Sequence, residues 1–277
     1  MPESPEVQAL ADQLDERMVD RRIEAVDVIE FRAVKTRERR LPSIIGERVE
    51  SVRRIGKHLD VALQSDHLVV ALGRHGWVRW LPADVDHGED ADVHPPALAS
   101  LTLESGVAAF TDAGSWVSLG LWIVDDPRAV PSVAKLGPDP LAPGFTQEVV
   151  DAAVTGRRKQ LKAILQEQES FAGIGNAYSD EILHRARLSP VVHGDHLSTA
   201  ERAELFAAMR DVLRDAVVAR RGIPIGELTQ AKTDAMHVHG RGGAVCPVCG
   251  GTIRDFPFGG TTAQYCPTCQ TDGEILG

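Results

Sequence analysis

The first seven residues, Met-Pro-Glu-Ser-Pro-Glu-Val, contain groups that can carry out nucleophilic chemistry. The initiator methionine is commonly removed when a small residue follows it, and its removal would expose the nitrogen of Pro2 as a secondary amine. An α-amino group titrates near pH ~8, so a sizeable fraction of it is unprotonated at neutral pH. Such an amine can attack an aldehyde-like carbon and form an iminium, while Glu3 beside it donates or accepts a proton. A disordered terminus without a chemical role is the alternative interpretation.

Cysteines near the other end of the chain have the spacing of a metal site. They form two Cys-x-x-Cys pairs separated by 16 residues: Cys246, Cys249, Cys266 and Cys269. This spacing is typical of a zinc ion held tetrahedrally by thiolates. Because four thiolates complete the coordination shell, the sequence predicts one structural zinc ion and leaves no cysteine for a disulfide framework.

The residues after Glu3 have the pattern of a helix that would hold the terminus in place. Ser4 is a typical N-cap residue, and Pro5 is typical of the first helical position. Apolar residues then recur at helical spacing, at Val7, Leu10, Ala11, Leu14 and Met18. The positive end of the helix dipole would lie beside the Pro2 amine and favour its uncharged form.

The rest of the chain changes from a strand pattern to a helix pattern. Short β-rich runs predict an antiparallel sandwich or barrel, with strands at residues 23–31, 59–63, 67–72, 77–81 and 107–110. The acidic, proline-bearing residues 84–96 predict a surface loop. Helices are predicted at residues 157–168, 179–188 and 199–220. The predicted domains are residues 1–135, a linker at 136–145, a helical domain at 146–236 and a zinc finger at 237–277.

Composition restricts the possible partners. The hydrophobic fraction of 43% suits a packed core, and no apolar run approaches membrane-spanning length, so we expect a cytoplasmic protein that does not bind membranes. The formal net charge of -10 argues against strong nonspecific binding of nucleic acid. A protein of this charge that binds DNA must concentrate its basic groups in a groove.

Five stretches, in order along the chain, resemble motifs of the formamidopyrimidine-DNA glycosylase and endonuclease VIII family. They are the N-terminal heptapeptide, which resembles MPEGPEV or MPELPEV; residues 53–58, which contain a turn similar to R-x-x-K; residues 136–141, which resemble LGPEPL; residues 173–181, which resemble G-x-G-N-x-Y-x-x-E; and residues 238–250, which resemble V-Y-G-R-x-G-x-P-C-x-x-C-G. The resemblance implies an α+β fold, with an N-terminal β-sandwich domain that carries the catalytic helix. A C-terminal domain with a helix–two-turn–helix motif and a β-hairpin zinc finger would follow.

The family resemblance also implies an activity. Members excise oxidised bases and nick abasic DNA through the N-terminal proline, so Pro2, Glu3 and Lys57 become the candidate catalytic residues. Lys57 would contact a phosphate near the lesion, although a solvated lysine in a hairpin is the alternative. We expect damaged DNA as the partner and a monomeric protein. No organic cofactor is required, because the iminium itself withdraws electrons.

Several residues are candidates for DNA contacts. Two glycines before a helix, Gly173 and Gly175, can turn backbone N–H groups toward an anion. The resemblance assigns a phosphate contact to Asn176, and Arg241 is a candidate replacement for the arginine that the family's finger carries. The family glutamate corresponds to Glu181, which either contacts the lesion or supports its helix.

The chain departs from the family at the residues that fill the space left by a flipped base. Arg74 stands where the purine-specific branch has methionine, Gly114 replaces an arginine, and Trp116 corresponds to an aromatic residue. The finger arginine corresponds to Thr261. Arg74, His75 and Trp116 could form a different stacking surface, or they could be ordinary loop and core residues. Two further hypotheses therefore stay open: a noncatalytic damaged-DNA-binding protein, and a lyase or glycosylase specialised for abasic, single-stranded or bulky lesions.

Overall fold

In a computed structural model, the chain is described for residues 1–83 and 95–276. The chain divides into two compact units, each with its own hydrophobic core. The first contains Met1–Lys135 and Gly222–Thr229, and the second contains Leu136–Arg221 and Gln230–Gly277. The surface loop predicted at residues 84–96 lies almost entirely outside the described residues, and the predicted domain limits stay predictions.

The first unit begins with helix α1, Ser4–Met18. Its described residues contain eight strands: β1 Ile23–Val28, β2 Val49–Ile55, β3 His58–Leu63, β4 His67–Ala71, β5 Gly76–Pro82, β6 Ala97–Leu103, β7 Gly106–Asp112 and β8 Gly120–Val124. They form two antiparallel sheets with strand orders β1-β6-β7-β5 and β2-β3-β4-β8. A short helix, α2 at Pro131–Ala134, follows.

Both sheets contribute buried side chains to the same core. Along β6, for example, buried residues alternate with partly accessible ones, as expected of a strand with one buried face. Helix α1 adds Val7, Leu10 and Leu14 to this core, all of them buried. Burial of each such side chain contributes roughly 1.5–3 kcal/mol, which fixes α1 on the sheets. The predicted strand at residues 23–31 ends early, because the Glu30 carboxylate accepts the Arg32 N–H and starts a 3₁₀ turn.

The second unit contains the helices α3 Gln147–Val154, α4 Leu161–Gln166, α5 Asn176–Arg185 and α6 Thr199–Arg220, and α7 at Leu228–Ala235 follows in the chain. Helix α6 agrees with its prediction and begins with a capping box between Ser198 and Glu201. The helix predicted at residues 157–168 is wrong in its first turn. Gln160 pairs with His193 in a β-bridge there, and the Leu161 N–H donates to Val192, so the helix starts only at Leu161.

The C-terminal part of the second unit is a β-hairpin, β9 Arg254–Phe258 and β10 Thr261–Tyr265, followed by α8 at Pro267–Gln270. Gly259 and Gly260 join the strands at φ values of 53° and 76°, which a two-residue hairpin turn requires and glycine adopts readily. The predicted α+β fold, with a sandwich, a helical region and a hairpin finger, is confirmed. Every helix among the described residues is too short or too polar to cross a membrane.

We predict that Gly73→Ala destabilises the protein more than Gly46→Ala. Both glycines have positive φ, at +60° and +91°, so both substitutions strain the backbone. A Cβ on Gly73 would lie 2.4 Å from the Ser118 carbonyl oxygen, whereas a Cβ on Gly46 meets no described heavy atom within 4 Å. The clash should cost an additional ~1–3 kcal/mol in urea unfolding. Equal losses in the two variants would contradict the close approach at Gly73.

Candidate active site and zinc centre

The N-terminal residues are held by the start of helix α1. Glu3 is the N-cap residue, and its N–H donates to the Glu6 carboxylate over 3.3 Å. The prediction that Ser4 caps the helix is therefore wrong by one residue. Ser4 lies inside the helix and is buried, and its hydroxyl has no hydrogen-bond partner among the described residues.

The setting of Glu3 is suited to proton transfer beside Pro2. Glu3 is 2% exposed, and Pro2 keeps part of its surface accessible. A carboxylate at the N-terminus of a helix is stabilised by the helix dipole, and the same dipole disfavours a positive charge on the nearby nitrogen. The role of Pro2 as a nucleophile stays a prediction.

Lys57 lies in the turn between β2 and β3, and two contacts shape this turn. The Arg54 guanidinium donates to the Gly56 carbonyl over 3.2 Å and to the side-chain oxygen of Gln8 over 3.0 Å. The imidazole of His58 lies 3.3 Å from the Ile55 carbonyl, and burial lowers its pKa. Because Gln8 belongs to α1, the Arg54 side chain links the helix that follows Pro2 and Glu3 to the turn of Lys57. The catalytic role of each residue stays a prediction.

The loop after β7 is organised by one carboxylate, Asp112. Its oxygens accept hydrogen bonds from the N–H groups of Gly114, Ser118 and Leu119 and from the Ser118 hydroxyl, over 2.7–2.9 Å. Burial raises the pKa of Asp112, but these donors together bring it below its ordinary value. The ionised carboxylate of Asp112 therefore joins the two ends of the loop.

The same loop is joined to the turn that carries Arg74. The Ser118 hydroxyl accepts the N–H groups of Arg74 and His75, and both of these side chains are exposed. A Cβ on Gly114 would lie 2.9 Å from the His75 ring, so the place of the family's arginine is closed by this histidine. Trp116 projects from the loop with 83% of its surface exposed. The structure thus brings Arg74, His75 and Trp116 onto two connected loops.

The Gly-x-Gly-Asn segment forms a tight turn before α5 in the second unit. Gly173 has φ 93°, and the Gln168 side chain closes the turn by accepting the Gly173 N–H and donating to the Ile174 carbonyl. Gly175 is the N-cap of α5, so the backbone N–H groups that follow it lie at the positive end of the helix. The Asn176 amide donates to the Thr262 carbonyl of the finger hairpin over 3.0 Å.

Helix α5 also carries two buried carboxylates, of which the sequence analysis considered only Glu181. The Glu181 carboxylate accepts the backbone N–H groups of His237, Val238 and His239 over 2.9–3.1 Å, so it supports this segment. Asp180 forms a 2.6 Å ion pair with Lys162, and both side chains are fully buried. In the sequence, both carboxylates stand between Tyr178 and the apolar pair Ile182 and Leu183, and this pattern indicates a buried part of α5.

Sulfur atoms of the four cysteines converge on one point. All four lie within 4.8 Å of one another, with 3.4 Å between Cys249 and Cys266 and 3.9 Å between Cys246 and Cys269. Thiolates around a tetrahedral zinc ion lie about 3.8 Å apart, so the cluster fits one structural zinc ion. The N–H of Gly251 lowers the pKa of Cys249 to about 7, whereas burial raises that of Cys269. Because burial and the neighbouring sulfur atoms oppose ionisation of Cys269, all four sulfurs can be thiolates together only beside a cation.

The remaining candidate, Arg241, lies on the exposed side of the segment before the finger. Its guanidinium donates to the Asp234 carbonyl over 2.9 Å. Thr261 lies at the start of β10, and its hydroxyl donates to the Phe258 carbonyl. A DNA-binding role of Arg241 stays a prediction.

Comparisons with known proteins cover all of these parts. The N-terminal domain of formamidopyrimidine-DNA glycosylase matches residues 1–115, and the H2TH domain of that enzyme matches residues 136–225. A zinc finger found in FPG and IleRS matches residues 243–271. A formamidopyrimidine-DNA glycosylase of Desulfitobacterium hafniense is 30% identical over 278 residues, which cover 98% of this chain and 100% of the relative. The chain belongs to the formamidopyrimidine-DNA glycosylase family, and on that basis it is a DNA-binding glycosylase with a zinc finger.

Solved structures agree with this assignment. The MutM (Fpg) protein of Thermus thermophilus is 31% identical with a TM-score of 0.81, and the match covers 97% of this chain and 98% of that one. Lactococcus lactis Fpg, solved in a complex with DNA containing an abasic site, shares the fold at a TM-score of 0.85 and 23% identity. That match covers 97% of this chain and 99% of the other.

We predict that Asp112→Asn lowers the melting temperature at pH 7, because the amide has only one acceptor oxygen for four donors. Each buried donor left without a partner costs roughly 1–3 kcal/mol. The pKa of Asp112 is lowered in the folded protein, so its stabilisation is present above the unfolded pKa of ~3.9 and is lost as the pH falls through the folded value. The difference in melting temperature should therefore shrink in acid. Asp27→Asn, at an exposed position on β1, is the control, and a constant difference at every pH would contradict the carboxylate's role.

Proposed function

We propose that the protein is a bifunctional DNA glycosylase and abasic-site lyase of base-excision repair. It would remove damaged, and in particular oxidised, bases and nick abasic DNA. The observation that carries this proposal is the similarity to a formamidopyrimidine-DNA glycosylase over 98% of this chain. The candidate catalytic residues Pro2 and Glu3 belong to the heptapeptide that resembles the family's motif. The burial of Glu3 at the N-terminus of α1 supports a role in proton transfer.

The proposed reaction begins with removal of Met1, which converts the Pro2 nitrogen from an amide into an amine. The amine attacks C1′ of the damaged nucleotide, the base leaves, and Glu3 assists by transferring a proton to the opening sugar. The resulting iminium acidifies the C2′ proton. Loss of that proton expels the 3′ phosphate by β-elimination, and hydrolysis of the iminium then releases Pro2.

Binding is assigned to groups that can neutralise or cradle phosphates. Lys57 supplies a cation, and Asn176 supplies an amide next to the N–H groups at the start of α5. The turn containing Gly173 and Gly175 sets the direction of these N–H groups, and Arg241 adds a further cation. Localised contacts of this kind are required in a chain with a net charge of -10.

The surface formed by Arg74, His75 and Trp116 is proposed to stack on bases beside the lesion. Base flipping leaves a gap in the duplex that side chains must fill, and both arginine and tryptophan can stack on nucleobases. The hydrogen bonds that join both loops through Asp112 and Ser118 support this role, because a stacking residue must hold its position.

A second function is favoured by one observation, the absence of an arginine at position 261 in the finger. With a weaker grip on the flipped nucleotide, the chain could bind damage without catalysis, or act on abasic, single-stranded or bulky lesions. For the enzyme, loss of this arginine would favour products of β-elimination over those of δ-elimination. We further propose that it acts as a monomer in the cytoplasm, with the structural zinc ion and without an organic cofactor.

We predict that borohydride captures the protein covalently on abasic DNA, because it reduces the iminium between Pro2 and the sugar. Pro2→Gly should reduce capture and nicking strongly, and Glu3→Gln should reduce base excision more than nicking of preformed abasic sites. Gel analysis of the cleaved ends reports β- against δ-elimination. Unchanged capture in Pro2→Gly would contradict the role of Pro2 as the nucleophile. A native protein that binds abasic DNA without being captured would favour the hypothesis of a noncatalytic damaged-DNA-binding protein.

We predict that Trp116→Ala lowers the rate of lesion processing in duplex DNA more than in single strands. Stacking on one base contributes roughly 1–3 kcal/mol, and a single strand leaves no gap to fill. Trp116→Phe, which keeps an aromatic ring, is the matched control, and Arg74→Ala tests the other loop in the same assay. Equal rate losses on both substrates would show that these loops do not act as a wedge.

A further inference from the structure

The zinc centre has a neighbour outside the finger. His184, in the last turn of helix α5, is 5% exposed, and its Nε2 lies 3.3 Å from the sulfur atom of Cys246. Cys246 is itself 1% exposed. The contact is therefore buried, and water does not compete for either atom.

The chemistry of a zinc-bound cysteine decides which atom carries the hydrogen. A cysteine that binds zinc is a thiolate and has no hydrogen to donate. The contact is favourable only if His184 Nε2 carries the hydrogen and donates it to sulfur. A second thiolate, Cys249, is placed to accept the backbone N–H of Gly251 over 3.4 Å, but that donor belongs to the finger.

We propose that His184 is an outer-sphere residue of the zinc centre, donating its Nε2–H to the Cys246 thiolate and thereby joining helix α5 to the metal. Four thiolates and one zinc ion leave two negative charges in a partly buried site. An N–H donor delocalises this charge and stabilises the bound metal. The residue acts through Cys246, so it is a positioning residue.

The position of His184 in α5 gives the contact a wider consequence. The same helix starts with Asn176 and carries Glu181, which holds the backbone of residues 237–239. Zinc binding therefore stabilises the helix that presents the proposed phosphate contact as well as the finger. The inference concerns the metal centre and does not depend on the proposed lyase activity.

The test compares His184→Gln with His184→Met, two side chains of similar length of which only glutamine has an N–H donor. Zinc release to a chromogenic chelator should be about 10–100-fold faster in the methionine variant than in the native protein, and close to native in the glutamine variant. In the cobalt-substituted proteins, the sulfur-to-cobalt charge-transfer band should move to lower energy in the methionine variant only. His237→Met, an exposed histidine near the same segment, is the control and should release zinc at the native rate.

Equal release rates and equal cobalt spectra in the glutamine and methionine variants would overturn the proposal and leave His184 as a packing residue. A measurement on the native sequence covers the case in which neither variant folds. Nitrogen-15 NMR of the zinc-loaded protein should show a hydrogen on His184 Nε2 that exchanges slowly with water. In the cadmium-113 form, this hydrogen should be coupled to the metal through the sulfur. An unprotonated Nε2 would exclude the donor role.

Discussion

The buried ion pair between Lys162 and Asp180 is the constraint on which the second unit depends. Both side chains have no exposed surface, and a buried charge without a partner costs several kcal/mol. The Lys162 ammonium also donates to the Asn176 carbonyl and the Ser179 hydroxyl. The second oxygen of Asp180 is hydrogen-bonded to Nδ1 of His239. Helices α4 and α5 and the start of the finger segment must therefore keep one arrangement, since any other would leave a charge without a partner.

Polar contacts of this kind also position several of the proposed functional groups. The Asp112 carboxylate holds the loop of Trp116, and Ser118 ties that loop to the turn of Arg74. The Glu181 carboxylate holds the segment leading to the finger, and His184 reaches the zinc centre. Each is a partly or fully buried acceptor or donor satisfied by the backbone or a metal ligand. Buried polar groups therefore fix segments that also contribute apolar residues, such as Leu119 and Val238, to the hydrophobic clusters.

The structure shows the surroundings of two positions, 114 and 261, at which the chain departs from the family's motifs. A side chain at position 114 would require the exposed His75 ring to move, because a Cβ there lies 2.9 Å from that ring. At position 261, the Thr261 hydroxyl donates to the Phe258 carbonyl, and Arg241 is the proposed replacement for the missing cation.

The sequence alone determined the features that depend on local pattern: the spacing of the four cysteines, the apolar stripe of α1, the length of helix α6, and the order of the family motifs. It indicated strands through residues 22–123 without naming the runs of β2, β6 and β8, and it extended α4 over Gln160, which forms a β-bridge with the distant His193. The paired roles of Lys162 with Asp180 and of His184 with Cys246 also required the tertiary structure. These contacts join residues 18 and 62 positions apart, and no local propensity records which distant partner a buried polar group will meet.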